Sequence, residues 1–173
     1  MPAIDIGPFR RIVAVSWALG RIRIRYIWSS AAGRDLDTKT QVRFGGSTLG
    51  GSVGWSFGYT ASAPLPGTAQ SLELLDWVTG DNTNQGGEEH VDANLDNMLA
   101  LAAASSDPGR PMVIDCAAHW YGEPGTGRVS LEVDALDGTA GPGLSTSITV
   151  TTRYNNPQTI GRILVNGPRL QFL

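Results

Sequence analysis

From Arg21 to Trp28 the chain reads RIRIRYIW, with Ile22, Ile24, Tyr26 and Trp28 on one parity and Arg21, Arg23 and Arg25 on the other. A period of two marks a half-buried β-strand. Residues 53–59 (VGWSFGY) repeat the pattern, placing Val53, Trp55, Phe57 and Tyr59 on one face and small residues on the other. Further alternating runs span residues 72–78, 129–135 and 147–153, and an apolar run spans residues 112–118. Gly45-Gly46, Asp107-Pro108-Gly109, Pro124-Gly125 and Asn155-Asn156-Pro157 punctuate these runs as turns. Only residues 92–105 (DANLDNMLALAAAS) read as helix, with Leu95, Met98, Leu99 and Ala102 at helical spacing before the Asp-Pro-Gly stop. The pattern therefore predicts an all-β fold, a jelly-roll-like antiparallel β-sandwich carrying one short helix.

Composition agrees. The chain has 173 residues, of which 22 are Gly and 10 are Pro, and 17% are charged. That mixture disfavours a helical bundle, and the length suits a single domain over residues 1–173. No stretch of about 18 apolar residues is present, and residues 1–9 lack the basic start and apolar run of a secretory signal. The expected location is the cytoplasm or a virion, with no membrane partner. The single cysteine, Cys116, has no partner for an internal disulfide.

The net charge of -3 argues against general affinity for nucleic acid, but its distribution is uneven. Residues 1–43 carry eight Arg or Lys against three acids, whereas residues 71–97 carry seven acids and no Arg or Lys. Within that acidic region lies Gly80-Asp81-Asn82-Thr83-Asn84-Gln85-Gly86-Gly87-Glu88-Glu89. Its carboxylates, amides and Gly-released carbonyls are the oxygen types that calcium takes in shells of six to eight. A second acidic signal, Asp35-Leu36-Asp37, follows the first strand. In an extended segment, residues i and i+2 share a face about 6.6–7 Å apart at Cα, so both carboxylates can lean toward one cation.

Three blocks in order, RIRYIWSSAAGRDLDTKT, WVTGDNTNQGGEEHVDANLDNM and MVIDCAAHWYGEPGTGRVSLEV, give a chain that resembles the TerD-type (tellurite-resistance) domain. The resemblance covers roughly residues 22–37, 76–98 and 112–134. It implies a calcium-binding β-sandwich in which Asp35, Asp37, Asp81, Asn82, Glu88 and Glu89 occupy the ligand positions. Asn84 and Gln85 stand where the family is more acidic.

Enzymatic chemistry has little support. Cys116 and His119 have opposite parity on a strand, so they would point to opposite faces. Two histidines in all make a zinc site a poor fit, although His90 and Asp92 share a parity. Asp134 and Asp137 form a carboxylate pair of unknown spacing. No G-x-S-x-G, HExxH or Walker A motif occurs. The five tryptophans invite a second idea, a sugar platform built from Trp55, Phe57 and Tyr59 or from Trp120 and Tyr121. Burying each ring removes about 150–250 Å² from water, which favours core packing for the same residues.

Two features point to protein partners. Arg21, Arg23 and Arg25 would form either a docking stripe or cross-strand pairs with acids such as Glu132 and Asp134. The terminus Leu170-Gln171-Phe172-Leu173, with Ile163-Leu164-Val165, would be a liability if exposed, so Leu170, Phe172 and Leu173 are expected to pack against a neighbour or an added strand. The leading expectation is a non-enzymatic structural subunit of a homo-oligomer or larger particle, such as a capsid decoration or tail component of a phage, with a structural Ca²⁺ site. The alternatives are a stand-alone calcium-binding stress-response domain and a carbohydrate-binding module.

Overall fold

The alternation read at residues 21–28 is the rule from which two antiparallel sheets are built. A computed structural model of the chain describes residues 14–16, 20–32, 34–122, 125–136, 144–154, 156–167 and 169–173. The strands in chain order are β1 (Ala14–Ser16), β2 (Arg21–Trp28), β3 (Leu36–Phe44), β4 (Ser47–Gly54), β5 (Thr60–Pro64), β6 (Ser71–Trp77) and β7 (Gly87–Asn94). Helix α1 (Leu95–Ala103) follows, and then β8 (Met112–Trp120), β9 (Gly127–Ala135), β10 (Leu144–Val150), β11 (Gln158–Asn166) and β12 (Arg169–Phe172). One sheet runs β1-β12-β11-β8-β3-β4 and the other β10-β9-β2-β7-β6-β5. The fold is an all-β antiparallel sandwich with one short helix among the described residues.

Each sheet turns its apolar parity inward. Ile22, Ile24, Tyr26 and Trp28 of β2 join Val91 and Ala93 of β7 and Val129, Leu131 and Val133 of β9. Val42, Ile114, Cys116, Trp120 and Ile163 belong to the same cluster from the opposite sheet. The buried Trp120 indole satisfies its polar edge by donating to the Val150 carbonyl at 2.9 Å. Strand β2 is flanked by β7 and β9 in continuous register, so its inward residues sit mid-sheet and have neighbours on both sides.

Four local expectations need correction. Residues 53–59 are not one strand. β4 ends at Gly54 (φ +124°) and Ser56 adopts φ +64°, so the chain turns and Phe57 and Tyr59 emerge 48% and 64% exposed rather than filling the core. The helix begins at Leu95, not at residue 92, because β7 continues through Asn94, whose side chain then caps the helix by accepting from the Asn97 amide at 3.0 Å. The strand expected at residues 147–153 lies at Leu144–Val150, where it pairs with β9. In β6 both Leu74 and Leu75 are buried, since a bulge opposite Ala61 and Ser62 breaks the alternation.

Candidate metal centre

Strand β3 starts one residue later than a fully extended Asp35-Leu36-Asp37 would require. Asp35 adopts φ +62°, a left-handed conformation that Asp tolerates better than most residues. Its backbone is held from two sides. The Asp35 amide donates to the Asn84 carbonyl at 3.3 Å, and the Tyr121 amide donates to the Asp35 carbonyl at 2.9 Å. The loop between β6 and β7 is thereby fastened to the start of β3, and an isolated bridge between Arg34 and Gln85 adds to the seam. Gly86 makes this approach possible: at φ +76°, a Cβ there would lie 2.6 Å from the Ser30 amide nitrogen.

The seam brings together Asp35, Asp37 and Asp81, with one carboxylate oxygen from each lying within 4.8 Å of the others. Oxygens that share one Ca²⁺ at about 2.3–2.6 Å can be at most roughly 4.6–5.2 Å apart, so this spacing suits a single shared cation. Asp81 is exposed, Asp35 half-buried, and Asp37 only 1% exposed. Asp37 shares the parity of Lys39, Gln41 and Arg43, which are half-buried, so its deep burial is not what the strand pattern foretells. Among the described residues, neither Asp37 oxygen has a hydrogen-bond donor. His119, its cross-strand partner, brings Nε2 to 3.1 Å from Oδ2, near enough for an ion pair but without hydrogen-bond angles. A buried carboxylate lacking donors is costly unless a positive charge meets it. Asp35 has its pKa raised by burial and then by the adjacent Asp37 and Asp81. Asp81 is raised in turn by burial and by Asp37.

The remaining three residues of the expected ligand set do other work. Asn82 spends its side chain on the loop: its amide nitrogen donates to the Glu88 carbonyl at 3.1 Å, and its oxygen accepts from the Asn84 amide and side chain at 3.1 and 2.8 Å. Glu88 faces away, lying 3.6 Å from Arg25 and 3.4 Å from His90. Glu89 is fully buried, accepting from Thr38 Oγ1 at 2.6 Å and the Asn82 amide at 2.9 Å, and burial pushes its pKa up to about 7. Of the six expected ligands the structure groups Asp35, Asp37 and Asp81, and the loop adds one carboxylate to that group among the described residues.

The residues singled out for partners are engaged inside the chain. Arg23 makes a fork onto Asp92 at 2.8 and 3.0 Å. Arg25 reaches Glu132 at 2.6 Å and Asp134 at 2.9 Å, and Arg21 meets Glu73 at 3.4 Å. Leu170 and Phe172 are buried in the core through β12, and Leu173 continues the ladder by exchanging backbone hydrogen bonds with Arg162. Cys116 and His119 point to opposite faces as expected. Cys116 sits in the core, where burial raises its thiol pKa to about 12. Asp137 lies outside the described residues.

The sequence singles out Trp55, Tyr59 and Tyr121 as aromatic candidates but not the ring contacts that join them to other elements. Trp55 and Tyr121 have ring centroids 6.2 Å apart, and Tyr121 meets Tyr154 edge-on at 5.7 Å. Tyr59 packs against Trp77 at 5.3 Å, beside Gly80. No family model, curated protein or solved structure matches the chain.

Proposed function

We propose that the chain is a non-enzymatic calcium-binding β-sandwich module, with Asp35, Asp37 and Asp81 as the protein ligands. One observation carries the reading: Asp37 is buried with neither oxygen hydrogen-bonded among the described residues, His119 Nε2 being its sole close cationic neighbour there at 3.1 Å, inside a triangle of carboxylates spaced for one cation. Calcium is preferred to magnesium because three carboxylates drawn from a strand start and a loop suit its flexible shell at about 2.3–2.6 Å better than a tight octahedron at about 2.0–2.1 Å. Glu89 and Asn82 hold the loop and act as positioning residues. A role as a particle subunit has less to rest on, since Leu170 and Phe172 pack within their own sheet and the arginine stripe is paired within the chain.

The test is thermal melting of metal-stripped protein. A ligand at 100 times its dissociation constant stabilises by about 2.7 kcal/mol. At about 2–4 °C per kcal/mol for a chain of this size, calcium is expected to raise Tm by roughly 5–11 °C, and chelator to reverse the rise. Asp37→Asn is expected to abolish the calcium-dependent shift. A Tm indifferent to millimolar calcium would overturn the reading.

A further inference from the structure

Three carboxylates supply between three and six oxygens, and calcium takes six to eight. Asp81 is exposed, so the unfilled positions of an ion held here would face solvent. Aromatic residues adjoin the same seam. Tyr121 is joined to Asp35 through its amide and is 50% exposed; it is in ring contact with the half-buried Trp55 and with Tyr154, itself 58% exposed. The Tyr59 ring lies beside Gly80, the residue before Asp81. Tyr121 and Tyr154 touch each other and Tyr121 touches Trp55, so these rings form a cluster rather than singly scattered surface residues. Asp35, Ser56 and Tyr154 are the non-glycine residues with positive φ among those described, and all three belong to this region or adjoin its rings.

We infer that this region binds a neutral carbohydrate, with a pyranose ring lying on the face of Tyr121 and walled by the edge-on Tyr154, while two adjacent hydroxyls complete the coordination of calcium at Asp35, Asp37 and Asp81. The inference rests on the calcium reading above. The chemistry selects the occupant. A single flat tyrosine face matches the C–H face of a sugar, and the open metal positions match vicinal hydroxyl oxygens. A polyanion would meet three carboxylates of its own sign, and an apolar protein surface would have to bury the Asp81 charge without a partner.

Affinity electrophoresis through gels containing soluble mannan, galactan or β-glucan tests it, with each gel run in calcium and in chelator. At least one polysaccharide is expected to retard the calcium-loaded protein, with binding about tenfold or more weaker in chelator. The double variant Tyr121→Ala/Tyr154→Ala is expected to lose the retardation while keeping the calcium-dependent rise in Tm, since neither side chain is a metal ligand. Calcium-loaded protein that shows the Tm rise but is retarded by none of the three sinks the carbohydrate inference and leaves the calcium reading intact. Retardation that persists in chelator, or in the double variant, also overturns it. An absent Tm rise fails the calcium reading, and the inference with it.

Discussion

Asp37 and Glu89 are both buried carboxylates beside the β6–β7 loop, and their surroundings treat them oppositely. Among the described residues Asp37 has no donors, whereas Glu89 accepts from Thr38 and the Asn82 amide. Even so, burial outweighs those bonds and lifts Glu89 from an ordinary 4.5 to about 7. The folded protein therefore holds more protons than the unfolded chain between those values, and stability must fall as pH rises through that window. The contribution is complete below about pH 4.5 and gone above about pH 7, on the order of 3 kcal/mol at about 1.36 kcal/mol per pH unit. In chelator, so that no cation intervenes, urea midpoints are expected to drop from pH 5 to pH 7.5. Glu89→Gln, which cannot ionise but keeps an acceptor, is expected to flatten that drop. Parallel pH dependences in parent and variant would show that Glu89 is not the group responsible.

Strand β2 shows what alternation decides. Ile24 is fully buried between Val91 and Val133, while Arg23 on the opposite parity forks onto Asp92 near the surface. Ile24→Asp is expected to cost several kcal/mol by placing a charge in the core. Arg23→Gln is expected to cost on the order of 1 kcal/mol, since partly exposed ion pairs contribute little. Denaturant unfolding of the two variants checks the ratio, and equal losses would reverse the face assignment. This strand was legible because its apolar parity is unbroken over eight residues. Residues 53–59 have the same parity pattern, yet Gly54 and Ser56 leave extended geometry, and composition does not announce a non-glycine residue at positive φ. The carboxylate triangle was half legible for a related reason. Asp35 and Asp37 are neighbours in sequence, but which loop side chain turns inward depends on hydrogen bonds such as those of Asn82. The approach of His119 to Asp37 depends on the pairing of β3 with β8, which no local pattern encodes.

The last strand has consequences for the entire molecule. β12 stands between β11 and β1, and it supplies Leu170 and Phe172 to the core. Deleting residues 170–173 therefore exposes an edge, leaves β1 without a neighbour and removes two buried side chains. Losing such side chains costs about 2–5 kcal/mol each, against a total stability of about 5–15 kcal/mol. The truncated chain is expected to lose its cooperative melting transition by circular dichroism, while Leu170→Ala melts cooperatively at lower temperature. A truncated chain that melts like the parent would mean that β12 is dispensable.

Asp35 and Asp37 lie at the start of a strand in one sheet, whereas Asp81 lies in a loop joining two strands of the other. Prising the layers apart at that end separates the three carboxylates. If the sandwich opens there on its way to unfolding, a bound ion must leave before the barrier is crossed, and its binding energy then appears as a slower unfolding rate and a longer lifetime against proteolysis. The seam between Arg34 and Gln85 would thus set how long the folded molecule lasts, as well as how stable it is at equilibrium.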